Sequence, residues 1–147
     1  MSLLLSDLKT VLAGLCGGTL TAAGLDGSDT STAWMYPIAS ALRSLGLVPA
    51  SPLTVVDADL VAVSDDQVGQ LVDVAELAAL EAALGNYTKV DQKISLGEIK
   101  LGQLRSELEA TISRKALAVR QRYGVGTATL TAGVVDLSFD AQTEDVP

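Results

Sequence analysis

The sequence predicts a mainly α protein: a small helical bundle with a long helical hairpin and a short C-terminal β-hairpin. Two long helix-compatible runs meet near Gly85-Asn86 and carry most of the regular hydrophobic patterning. The apolar fraction is 48% but aromatics are only 3%, so the core is built mainly from Leu, Val and Ala, a composition that suits closely packed helices. After Gly126 the period changes from helical to alternating. A chain of 147 residues fits one domain that buries roughly two thirds of its unfolded surface. Within it the patterning marks an N-terminal helix over 1–20, the helical hairpin over 64–124, a β-hairpin over 127–139 and an acidic tail over 140–147.

The first helix is short, capped by Ser6 or Asp7, with Leu8, Val11, Leu12 and Leu15 at helical spacing and Gly17-Gly18 as its stop. Thr19 to Asp29 is rich in Gly, Thr and Asp and reads as a loop. A second helix is expected from Thr32 to Leu45, capped by Ser31 or Asp29 and ended by Gly46. Pro37 fits if the helix proper begins near Tyr36; otherwise it marks a kink. Trp34, Met35 and Tyr36 are the bulkiest cluster of the chain, readable as a core anchor or as an exposed binding patch. Beyond Pro49 and Pro52, Leu53 to Val56 and Leu60 to Val63 are β-branched runs, either two short strands or one irregular extended stretch.

Ser64-Asp65-Asp66 starts the first arm of the hairpin, with a capping hydroxyl and two acids at the positive end of the helix dipole. The arm is expected to end at Leu84, with Gly85-Asn86 as a left-handed stop. Its apolar arc is wide, which predicts cover on more than one side. The second arm starts at Ser95, with Glu98 completing a capping box, and runs to Tyr123 before Gly124, on the order of 40 Å. Leu101, Leu104, Leu108, Ile112, Val119 and Tyr123 form one narrow stripe, so one face is packed and the rest is wet.

Net charge is −8, which argues against a general nucleic-acid binder. The charge is uneven. Between Lys89 and Arg122 lie eight of the ten bases against four acids, a window of +4 that leaves −12 for the remainder. Such polarity suits stacking between copies or docking on an acidic partner, and it also suits a solvated helix face. No run reaches the ~18 apolar residues of a membrane span, and Asp7 and Lys9 interrupt the opening apolar stretch before it resembles a leader.

The chain contains no His, which removes the commonest general base and the usual zinc ligand, and Cys16 is its only cysteine. At an expected helix C-terminus the dipole raises a thiol pKa, so Cys16 is a poor nucleophile. Asp57, Asp59, Asp65 and Asp66 are dense but lack calcium-loop spacing, so capping and solubility explain them better. The Gly-rich stretches lack phosphate-cradle spacing. No catalytic residue, cofactor site or metal site is expected. The candidate partner-binding residues are Trp34, Arg114, Lys115, Arg120 and Arg122. The last four reach a neighbour or DNA while Leu101, Leu104, Leu108 and Ile112 pack the core.

The arrangement over Ser64 to Gly126 resembles the head-to-tail adaptor (connector) proteins of tailed bacteriophages. It rests on Asp73-Val-Ala-Glu-Leu77, Leu84-Gly-Asn-Tyr-Thr-Lys-Val-Asp91, the long helix ending Arg120-Gln-Arg-Tyr-Gly-Val-Gly126, and the acidic tail. The resemblance implies a non-enzymatic virion protein, made in the host cytoplasm. It would form a homo-oligomeric ring, binding the portal protein on one side and a tail-side component on the other, with non-specific contact to packaged DNA and no membrane. From another class, a soluble regulatory or chaperone-like module would recognise an amphipathic partner helix through the Trp34 region. A carboxylate-based enzyme would need a convergent acid pair in a deep pocket.

Overall fold

A computed structural model describes residues 2–51, 53–91 and 98–124, with side chains described outside 88–103. The described part is mainly helical, and no strand occurs among these residues. The expected hairpin over 127–139, the tail over 140–147 and the capping residue Ser95 lie outside the described residues.

The bundle is organised around α4 (Val68–Asp91), entered through a 3-10 turn at Asp65–Gln67. Helices α1 (Leu5–Ala22), α2 (Met35–Ser44) and α5 (Glu98–Tyr123) all pack on it. Leu71, Val74, Ala75, Leu77, Ala79, Leu80, Ala83 and Tyr87 are all buried. At 100° per residue these positions go round most of the circumference. The wide apolar arc therefore does what it predicts, and Ala at so many of these positions lets three neighbours come close.

Helix α1 is longer than its sequence suggests. Gly17 and Gly18 sit inside it, and the left-handed stop is Gly24, at φ +85°. Gly17 serves a different need: a Cβ there would lie 2.5 Å from the carbonyl oxygen of Gly27, so the following loop presses directly on the helix backbone. The packed row is Leu8, Leu12, Cys16 and Leu20, whereas Val11 and Leu15 point to solvent, a correction to the expected stripe. The cap also differs. Neither Ser6 nor Asp7 supplies it; the Leu5 N–H donates to Asp57 Oδ1 at 2.7 Å, 52 residues away.

Helix α2 follows its expectation closely. Ser31 Oγ accepts the Ala33 N–H at 3.0 Å, a 3-10 turn covers Thr32–Trp34, and Gly46 at φ +80° ends the helix. Pro37 falls in the first turn of α2, where an N–H has no helical partner in any case. The β-branched runs after Pro52 do not pair as strands. A single helical turn, α3 (Asp57–Leu60), stands there, because Asp59 draws the chain inward: its Oδ2 accepts the Val56 N–H at 2.9 Å and its Oδ1 the Ala50 N–H at 3.1 Å.

Helix α4 does not stop at Gly85-Asn86. It continues to Asp91, with Asn86 Nδ2 donating to the Ala23 carbonyl at the end of α1 and Tyr87 buried one residue on. Tertiary burial and a satisfied amide favour the helical state over the local turn preference. Helix α5 ends at Tyr123, with Gly124 at φ +82°. Leu108 and Val119 are buried and Ile112 and Tyr123 partly so, but Leu104 is 45% exposed and does not fill the core as expected.

Candidate assembly surface

Helices α4 and α5 run antiparallel, since Tyr123 meets Asp73, Lys115 meets Glu76, and Leu104 and Leu108 line a groove with Leu80 and Tyr87. This pairing fixes where each basic side chain of α5 points. Lys115 Nζ donates to Glu76 Oε1 at 2.6 Å, and Glu76 is 8% exposed. Arg122 Nη1 donates to Asp73 Oδ2 at 3.0 Å, and Tyr123 Oη donates to the same oxygen at 2.7 Å. The Arg122 guanidinium also stands 5.9 Å from the centroid of the Tyr123 ring. Two of the four candidate basic residues are thus tied to α4 within the chain.

Arg114 is exposed and donates to Thr111 Oγ1 at 3.4 Å, one turn back on its own helix. Arg120 is half-buried. Further up, Arg105 Nε reaches Glu109 Oε1 at 3.1 Å, an exposed pair one turn apart that contributes little to stability. Trp34 is fully buried, with its Nε1–H donating to the Ser28 carbonyl at 2.7 Å. The core-anchor reading describes it, and its ring offers a partner no surface; Tyr36, 57% exposed, is the outward member of that cluster.

Electrostatics follow from this geometry. Burial raises the Tyr123 hydroxyl pKa, and its hydrogen bond to Asp73 raises it further. The Arg122 guanidinium is held charged by its hydrogen bond with Tyr123 and by Asp73. Cys16, on α1, is pushed up to about 12 by burial and then by Glu76, with Lys115 opposing; its Sγ donates to the Leu12 carbonyl at 3.5 Å. At neutral pH it is a thiol, not a nucleophilic thiolate. Burial also raises Glu81.

A small hollow of about 160 Å³ lies among Asp73, Glu76, Lys115, Ala118, Val119 and Arg122. Asp73 and Glu76 both face cations there, so the hollow's charge is compensated and lacks an acid and base poised against each other. Among the described residues no three His, Cys, Asp or Glu side chains come together as a metal site, and no helix is long and apolar enough to cross a membrane. The dense acids near residue 60 act locally: Asp57 caps α1 and Asp59 ties its loop.

Sequence reasoning missed Asp73 and Glu76. The signal was present in their spacing. Acids at i and i+3 on one helix and bases at i and i+7 on the next define single faces that can meet in an antiparallel pair. Comparison with protein-family models, curated proteins and solved structures returns no match for this chain.

Proposed function

We propose that this chain is a structural, ring-forming joint of the head-to-tail adaptor type, linking a portal-like ring to a tail-side component in a virion. The observation that carries this reading is the half-dressed state of α5. One face packs on α4, while the opposite face places Leu117 at 55% exposure beside the exposed Arg114. A 26-residue helix left wet along one side suits a protein whose fold is completed by neighbouring copies. The resemblance over 64–126 supplies the particular assembly, and the reading retains the strand-forming segment expected over 127–139 as a further contact to neighbours.

On this reading the chain assembles in the host cytoplasm and carries no chemistry of its own. The candidate contacts shift, however. Arg114 remains the natural base for a neighbour or for DNA, while Lys115 and Arg122 mainly lock α5 onto α4. The partner-helix module is supported less, because Trp34, on which it depended, is buried.

The test is the mass of the purified chain by light scattering at low and moderate salt, alone and mixed with portal proteins of tailed phages. A ring, alone or on a portal, is expected. A monomer indifferent to every portal and tail component would sink the adaptor reading.

A further inference from the structure

We infer that copies of this chain join through two unlike patches: the acidic, apolar end formed by the loop 48–61 on one copy, and the outer face of α5 on the next. The inference rests on the ring reading above and names its interface.

The first patch is held in place by hydrogen bonds already described. Asp57 caps α1 through the Leu5 N–H, and Asp59 ties Ala50 and Val56 together, so the loop is fastened to the head of α1. Around these bonds Leu4, Val48, Leu53, Val56 and Val61 are 44% to 82% exposed. They are half of the ten large apolar side chains left exposed among the described residues. Such a concentration marks a surface that another molecule covers. Its surroundings are acidic. Asp29 and Asp57 line a hollow with Leu5, Val56 and a single base, Lys9; Asp65 and Asp66 follow closely in the chain, and residues 1–67 hold seven acids against Lys9 and Arg43.

The second patch has the opposite character. From Ser113 to Tyr123 the helix holds four bases and no acid; Lys115 and Arg122 are answered by Glu76 and Asp73 of α4, and Arg114 stands exposed on the outer side. Leu117 lies nine residues from Leu108, half a turn round the helix by the 100° rule, and so faces directly away from α4. An apolar spot flanked by Arg114 meets an apolar patch flanked by aspartates, a match that favours a second copy over any acidic partner. Nucleic acid fits the acidic end badly, because phosphate contacts need a surplus of Lys and Arg.

Because the patches differ, the contact is heterologous and propagates from copy to copy. Leu117 lies between Lys115, which meets Glu76, and Tyr123, which meets Asp73, while Asp57 caps the head of α1, whose other end meets Asn86; both patches therefore lie in the half of the bundle where α1 and α4 begin. Neighbours joined side by side at a similar level climb little from copy to copy, which suits the ring of the reading above.

The test uses the full chain carrying V61C or L117C, with the two variants on tags of different mass, under mild diamide oxidation. Buried Cys16, with its thiol held protonated, does not compete. A disulfide-linked pair is expected from the mixture and not from either variant alone. Links within V61C alone or L117C alone, or no mixed link at concentrations where light scattering shows an oligomer, overturn this interface and leave the ring reading standing. The absence of any oligomer, alone or with portal proteins, overturns both.

Discussion

Helices α4 and α5 are nearly equal in length, 24 and 26 residues, yet they hold opposite ranks in the bundle. The first is covered by three helices; the second is dry along one stripe. Charge separates them. α4 carries five charged residues and α5 nine, and the buried apolar positions of α4 go most of the way round where those described on α5 keep to one side. A helix becomes central because it has no face whose exposure to water is favourable, and it becomes peripheral because most of its faces prefer water. The charged residues that join the two obey the same logic: Glu76, tolerated in the interior, is answered by Lys115.

The comparison can be broken most severely at α4. Leu71→Ala removes a fully buried side chain, and a loss of about 2–5 kcal/mol is expected from urea midpoints; a loss below about 1 kcal/mol would mean that α4 is not the central helix. Lys115→Met should lose about 1–3 kcal/mol, because Glu76 is left buried without its cation. Adding Glu76→Gln should restore most of that loss, and failure of the double variant to recover would show that the lysine stem, not the ion pair, matters. Gly85→Ala tests where α4 ends. Nothing lies within 4 Å of the added Cβ, so a continuous helix gains about 0.5–1 kcal/mol, whereas a left-handed stop would lose stability.

On α5 the outer face should be nearly silent. Leu117→Ala is expected within about 0.5 kcal/mol of the parent in the isolated subunit. The smallest effect is local and acid-dependent. Asp59 is held below its ordinary 3.8 by the Val56 N–H and then the Ala50 N–H. Its folded value is thus lower than its unfolded one, so its contribution is complete above the unfolded value and fades only as pH falls through the folded one. Amide shifts of Val56 and Ala50 should stay native at pH 4 and move in stronger acid; movement already near pH 5 would contradict the assigned bonds.

Much of the fold was legible in the residues themselves. The wide arc of α4, the Ser31 cap and the Gly46 and Gly124 stops follow from periodicity and local chemistry, and each is found in place; of the α5 stripe, Leu108, Ile112, Val119 and Tyr123 pack while Leu104 does not. The failures share one form. Gly17-Gly18 and Gly85-Asn86 carry stop signals, but a distant partner decides their meaning: Gly27 pressing on Gly17, and Ala23 accepting from Asn86. The β-branched runs near residue 60 were misjudged similarly, because Asp59 recruited the Val56 and Ala50 N–H groups around a helical turn. Of the candidate surface, the basic end of α5 was legible, but that Lys115 and Arg122 are tied to α4 was not.

The sequence by itself determined that the chain is mainly helical, which helix is central, and that charge is polarised along it, because periodicity and composition act through local geometry and burial preference. Tertiary structure alone decided that Trp34 is an anchor and not a lure, that Lys115 and Arg122 answer Glu76 and Asp73, and that half of the exposed large apolar side chains lie about the loop 48–61. Those outcomes depend on contacts between residues tens of positions apart, and a linear pattern carries no record of which faces meet.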